Sequence, residues 1–304
     1  MESGDLVLYP KQFLPPQSRE EPPIAAAWGP RRIVSLNLCA DEILLDLVSP
    51  DRIAAVSHLA ADPLISAVAA RAAKLRATRG AAESVLGLAP DLVLAGTFTT
   101  PATLELLERI GQRVVRVALA SDLDGIRSAI RQVAAAVEER AKGEVLIAGF
   151  DAALAAAAGD GEVAGLSGSL QPSAAGLGSY RKPSALVYQV NGLSAASGSL
   201  ADALIRAAGL VNHASELGLG AGGALPLEVL AARPPDLVIL SGPSDEYRTI
   251  VADNLRHPAL RAVLDERASV VVPWRLWLCG THHAAEAVAR LAAARRRLLA
   301  RPLR

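Results

Sequence analysis

Cys39 and Cys279 are the two cysteines of this chain, and His282 and His283 follow the second of them by three and four residues. A thiol and an imidazole so spaced at a helix start can meet, and the helix dipole would lower the thiol pKa. Cys279 as nucleophile with His282 or His283 as base is therefore one chemistry to weigh. No third group that would orient the base is evident. The sulfurs have other uses: a disulfide, which needs α-carbons within roughly 7 Å, soft metal ligation, or two free thiols, the last being preferred here. Adjacent histidines in the first turn of a helix diverge. No His, Asp, Glu and Cys cluster with ligand spacing appears either, so neither a metal site nor a resident cofactor is expected.

What must position these groups is legible in a repeat. Glu83 is followed seven residues later by Pro90-Asp91-Leu92-Val93-Leu94, and Glu228 at the same spacing by Pro235-Asp236-Leu237-Val238-Ile239. Each copy reads as a short helix, a proline turn and an apolar run that suits a strand buried on both faces of a parallel sheet. Small-residue loops and helical patterns follow both strands, which makes each copy half of a doubly wound α/β lobe. The copies lie about 145 residues apart, a domain-sized period. The fold class predicted is α/β, two doubly wound lobes joined by one long interlobe helix.

The lobes are placed at residues 32–120 and 184–304. The first opens on the strand Ile33-Val34-Ser35-Leu36 and a helix over 41–47, with further strands at Ile53–Ser57 and Val114–Val117. From Ser121, paired with Asp124 as a capping box, apolar residues recur at three- and four-residue spacing to Val145. A continuous helix over 121–158 would be about 50 Å long, and Gly143 and Gly149 are the points where it could bend. Residues 159–183 read as a Gly/Ser-rich linker. The second lobe starts at Ala185–Val190 and holds helices near Ser199–Ala208, Asp245–Arg256 and Thr281–Leu299.

Composition bounds the function. The chain has 304 residues, 51% of them hydrophobic, and a formal net charge of zero. A length of this order suits two packed cores, and the balance of charge argues against nucleic acid as partner. No apolar segment approaches the roughly 20 residues that span a bilayer. Residues 1–31 mix prolines with charges, show no basic-then-apolar signal pattern and read as an extended, poorly ordered leader. Neither a dinucleotide-binding glycine loop nor a phosphate-binding lysine loop occurs.

From Arg32 to Leu299 the sequence resembles the cluster III periplasmic solute-binding proteins of ABC importers, which serve cobalamin, haem and iron-siderophore complexes. The resemblance rests on Ile33-Val34-Ser35-Leu36 before an acidic helix start, the two Glu-to-Pro-Asp-Leu-Val phrases, the long interlobe helix, and Trp277-Leu278-Cys279-Gly280-Thr281. It implies a two-lobed, typically monomeric periplasmic protein with no catalysis. Such a protein captures a metal chelate, here an iron-siderophore or cobalamin ahead of haem, and delivers it to a membrane permease with its ATPase. It also implies that Glu83 and Glu228 dock the permease; the plain alternative is that both merely start helices.

Loops at the carboxyl ends of the strands of facing lobes would form one cleft. The candidates placed there are Asn37, Cys39, His58, Arg79, Thr97 and Phe98 from the first lobe. The second lobe contributes Tyr188, Asn191, Trp274, Trp277, Cys279 and His282. Aromatic side chains among them suit stacking on a large flat ligand. The rival readings are the Cys-His enzyme and a cytoplasmic metal-chelate carrier on the same scaffold.

Overall fold

Short apolar runs build two parallel sheets. The computed structural model describes residues 29–159, 181–195, 197–219, 223–242 and 257–300. The first lobe contains β1 (Ile33–Ser35), α1 (Leu38–Leu47), β2 (Ile53–Ser57), α2 (Ala69–Ala72), β3 (Ala77–Thr78), α3 (Ala82–Leu86), β4 (Leu92–Gly96), α4 (Pro101–Arg109) and β5 (Val114–Val117). Its strands lie in the order β3-β2-β1-β4-β5, all parallel. Every residue of β1 and β4 is buried, as central parallel strands covered by helices on both faces must be.

Next come α5 (Leu123–Ala136) and α6 (Arg140–Gly159). The second lobe contains β6 (Ser184–Val187), β7 (Leu193–Ser194), α7 (Leu200–Ala207), β8 (Val211–Asn212), α8 (His213–Glu216), β9 (Gly223–Ala224), α9 (Leu227–Ala232), β10 (Leu237–Leu240), α10 (Pro258–Glu266), β11 (Ala268–Val271) and α11 (Ala284–Leu299). Its sheet runs β11-β10-β6-β8 in parallel, with β7 and β9 as a small antiparallel ribbon. The helix expected at Asp245–Arg256 and most of the linker and leader lie outside the described residues.

The repeated Pro-Asp pair has a structural meaning. Asp91 accepts hydrogen bonds from the backbone N–H of Arg31 (2.6 Å) and Arg32 (3.0 Å), tying the start of β4 to that of β1. Asp236 accepts from the Ser184 N–H (2.7 Å) and hydroxyl (3.0 Å) at the start of β6, and pairs with Arg181 at 2.8 Å. Burial alone would raise the Asp236 carboxyl, but the Ser184 donors and Arg181 outweigh it and hold it below the usual range. Each lobe thus fixes the register of its two central strands with one carboxylate.

The helical connection between lobes is present, but it is not continuous. The backbone breaks after Ala136, and Glu138 takes a left-handed conformation (φ 63°). This turns α6 back antiparallel along α5, held by Arg127–Asp151 (2.7 Å) and Arg131–Glu144 (2.7 Å). Gly143 does not bend the helix; a Cβ there would stand 2.5 Å from that of Ala134, so glycine allows the two helices their close approach. The cap is also not the expected box: the Asp122 carboxylate accepts from the Gly125 N–H at 2.7 Å.

One apolar core runs through both lobes. Ile43, Leu44 and Ile130 belong to the same buried cluster as Phe150, Leu204, Val288 and Leu291. The helical layer formed by α1, α5, α6, α7 and α11 is therefore a shared spine. Its burial resists large relative motion of the sheets, because separating them would expose that core.

Candidate functional site

A cavity of about 300 Å³ opens between the carboxyl ends of the two sheets. Its first-lobe wall comes from the segment after β2. There the Asp62 carboxylate accepts from the Leu64 N–H at 2.9 Å, and the Asp62 carbonyl accepts from the Ser66 N–H at 2.9 Å. This local turn presents Asp62, Leu64 and Ile65 to the cavity.

The facing wall is built by the ends of β6, β10 and β11. Tyr188, Gln189 and Val190 follow β6, then the chain turns at Gly192 (φ 69°). A Cβ at Gly192 would lie 2.6 Å from the Leu225 carbonyl, so the Asn191-Gly192 turn requires its glycine. Gln189 donates to the Ser241 hydroxyl at 3.3 Å, joining this turn to the end of β10. Trp274, in a single helical turn after Pro273, closes the wall. The lining is mainly apolar, and Asp62 is the charged side chain in it among the described residues.

Of the candidates named from sequence, Tyr188 and Trp274 line this cavity. Tyr188 is only 2% exposed and belongs to the same buried cluster as Leu186, Leu225 and Leu230. His58, Arg79 and Phe98 are exposed at the carboxyl ends of β2, β3 and β4, outside the lining; Phe98 is 82% exposed. Thr97 lines a separate hollow of about 420 Å³ beside Glu105 and Arg116. Asn191 lies in the turn Val190–Gly192, its side chain outside the described part. Sequence reasoning missed Asp62, Leu64, Ile65, Gln189 and Ser241. The Asp62-Pro63 turn signal just beyond a strand was the available clue.

The remaining candidates belong elsewhere. Asn37 is a helix cap, its side chain accepting from the Ala40 N–H at 3.0 Å. Trp277, where the backbone leaves the helical turn (φ −141°), is buried in the shared core, while Trp274 is only partly buried against it. Cys39 and Cys279 are joined in a disulfide with α-carbons 5.0 Å apart, so the free-thiol reading is corrected and Cys279 has no thiol to act as nucleophile. Neither sulfur lines the cleft, so the bond does not bar its mouth.

That disulfide begins a seam between the lobes. Along one face of α1, Cys39, Glu42 and Asp46 meet the residues leading into α11 in turn. Glu42 accepts from the Thr281 hydroxyl at 2.8 Å, and Asp46 from His282 Nε2 at 2.9 Å. His283 Nε2 lies 3.5 Å from the same carboxylate oxygen. His282 is therefore a seam residue, not a cleft residue. Burial alone would raise the Asp46 carboxyl, yet the hydrogen bonds of His282 and Arg71, with the His283 imidazole close by, hold it far below the carboxylate range. Burial pushes the His282 imidazole down, against the pull of Asp46.

Asp41, one position before this face, is wholly buried. Burial pushes its carboxyl well above the ordinary range, against the Ser35 hydroxyl and the Ser57 N–H, which donates at 3.2 Å. A carboxyl whose native pKa is raised holds its proton in the folded state at pH values where the unfolded chain has lost it. Its stabilisation is full below about pH 4 and declines as pH rises through the native value. Asp41→Asn is expected to flatten the fall in thermal midpoint as pH rises above about 4 relative to the parent. Equal slopes in the two proteins would remove Asp41 as the cause.

Glu83 and Glu228 occupy matching places. Each is exposed in the first turn of a short helix, α3 or α9, and each helix precedes the strand next to its lobe's first. Neither forms an ion pair among the described residues.

Two parallel α/β lobes on a shared helical spine, with an apolar cleft at the carboxyl ends of their strands, define a two-lobed ligand-binding protein. The periplasmic binding protein family profile matches residues 33–264, and the chain belongs to that family. A comparison with curated proteins finds no match. Among solved structures it is similar to the periplasmic heme-binding protein RhuT from Roseiflexus sp. RS-1 (25% identity, TM-score 0.67, covering 89% of this chain and 99% of that one). It also resembles the periplasmic heme binding protein HutB of Vibrio cholerae (20%, TM-score 0.67, 89% and 99%). A third similar fold is the vitamin B12 binding protein BtuF of Vibrio cholerae (16%, TM-score 0.64, 90% and 100%). The family and these neighbours are binding proteins rather than enzymes.

Proposed function

We propose that this chain is the substrate-binding component of an ABC importer, taking a flat metal chelate of the haem type in the interlobe cleft and delivering it to the permease through Glu83 and Glu228. The observation that carries the choice of ligand is the cleft lining. It is apolar, bears Trp274 on one wall, and has Asp62 but no cationic side chain among its described residues. A polyanionic ferric siderophore would lie there uncompensated, whereas a haem-type ring gains apolar burial and stacking provided that its two carboxylates stay in solvent at the cavity mouth. At about 300 Å³ the cavity is at the low end for ligand pockets, which favours a thin ring over a bulky corrinoid such as cobalamin. The similarity to a periplasmic heme-binding protein at 25% identity supports the same choice. The disulfide suits an oxidising, extracytoplasmic compartment and tells against a cytoplasmic carrier.

Tryptophan-fluorescence titration of the purified protein with haemin, cobalamin and ferric siderophores tests this. Haemin is expected to quench saturably and the others to leave the signal unchanged. Trp274→Ala should weaken haemin binding roughly tenfold, the loss of one aromatic contact of about 1.4 kcal/mol. Saturation by a ferric siderophore or by cobalamin alone would replace haem as the ligand, and silence from all of them would overturn the reading.

A further inference from the structure

A second cavity, of about 560 Å³, lies away from the cleft on the helical spine, between α1, α6 and α11. Asp46 and His282 line it beside Phe150 and Val145. His283 completes a set of three side chains whose ligand atoms all fall within 4.8 Å of one another. We propose that Asp46, His282 and His283 form a binding site for a divalent transition-metal ion of the zinc, nickel and copper series, bridging the two lobes.

The donor set is two imidazoles and one carboxylate, which suits those ions and leaves coordination positions open. Those open positions would face the cavity. The histidines converge, despite being adjacent, because α11 starts only at Ala284 and residues 282 and 283 are in the turn before it. Their ring centroids are 4.1 Å apart. His283 Nε2, which faces Asp46 Oδ2, is buried without a hydrogen-bond partner among the described residues, and an unpaired buried nitrogen at that spot needs an explanation that a metal supplies. Arg71 Nη1 holds Asp46 Oδ1 at 2.6 Å. That contact fixes the carboxylate and leaves Oδ2, the oxygen facing both imidazoles, as the ligand atom, a typical outer-shell arrangement. Distances of 2.9 and 3.5 Å from this oxygen to the two histidines mean that small side-chain shifts suffice to admit an ion with bonds of about 2.0–2.2 Å.

Zinc, nickel and cobalt(II) chlorides are titrated by calorimetry into the intact, disulfide-bonded protein after chelator treatment, with cobalt binding followed also by its visible absorption. One equivalent is expected to bind saturably, with a metal-dependent rise in the thermal midpoint. His282→Gln and His283→Gln should each weaken binding at least about tenfold, while His58→Gln, an exposed histidine outside the cluster, should bind like the parent. His283→Gln keeps the test decisive if changes at Asp46 impair folding, because His283 makes only the longer contact. Absence of saturable binding, or undiminished binding by His283→Gln, would overturn the proposal and leave the three side chains as a hydrogen-bonded seam. Haemin titration of the same variants is expected to be unchanged, so the outcome is independent of the cleft ligand.

Discussion

Replacing Cys39 and Cys279 together by serine is expected to lower the thermal midpoint by about 10–20 °C, because this bond cross-links the two lobes. The bond links residues 240 apart in sequence. A cross-link closing so long a loop restricts the unfolded chain strongly, worth about 5.5 kcal/mol on the chain-entropy account. A chain of this size converts each kcal/mol into roughly 2–4 °C. The rest of the seam, Glu42 with Thr281 and Asp46 with His282, and the core shared through Ile130 and Leu291 stay in place, so the folded variant should keep its architecture. Since neither sulfur lines the cleft, its haemin dissociation constant should move by less than about threefold, under 1 kcal/mol. Calorimetry of parent and double-serine variant, with haemin titration of both, checks the two halves of this expectation. An unmoved midpoint would assign the joint to the apolar core alone. A large loss of affinity would show that the seam sets the cleft geometry.

The α/β architecture was legible because buried parallel strands are short continuous apolar runs, and Ile53–Ser57 and Val114–Val117 fall where those runs predict. The repeated Pro-Asp pair announced two lobes, although its physical role, a carboxylate clamping the neighbouring strand's backbone, is a contact across about 60 residues that no local pattern reveals. The helix break at Val137–Glu139 was invisible for a related reason. It contains neither glycine nor proline, and it exists because folding α6 back onto α5 buries Ile147 and Phe150. Sequence led to the wrong side chains in the cleft where orientation, not element type, decides the outcome. Trp274 and Trp277 share one loop, but the backbone leaves the helical turn at Trp277, so Trp274 lines the cleft and Trp277 is buried in the core. The pairing of Cys39 with Cys279 depended on the packing of α1 against the segment before α11, and the same packing draws His282 and His283 to one carboxylate.

Reversing both exposed glutamates, Glu83→Lys with Glu228→Lys, is expected to reduce uptake about 100-fold while leaving haemin affinity intact, two ion pairs of about 1.4 kcal/mol each being replaced by repulsion. Each single reversal should cost about tenfold. The two carboxylates project from equivalent short helices of the two lobes, and the common core fixes their separation, so they present a rigid two-point charge pattern. A permease surface with complementary cations would read that pattern as an orientation, and charge complementarity acts mainly on encounter and register. Loss of a helix-start acid would change stability by only about 0.3–1 kcal/mol per site. Thermal midpoints near that of the parent would therefore exclude unfolding as the cause of lost transport. Glu266→Lys, at an exposed position on α10, provides a charge-matched control that should transport normally. Transport by the double variant at the parental rate would show that the glutamates serve only their helices. Lost haemin binding would place them in the ligand's environment instead, because neither now lines the cleft and a docking role gives affinity no reason to change.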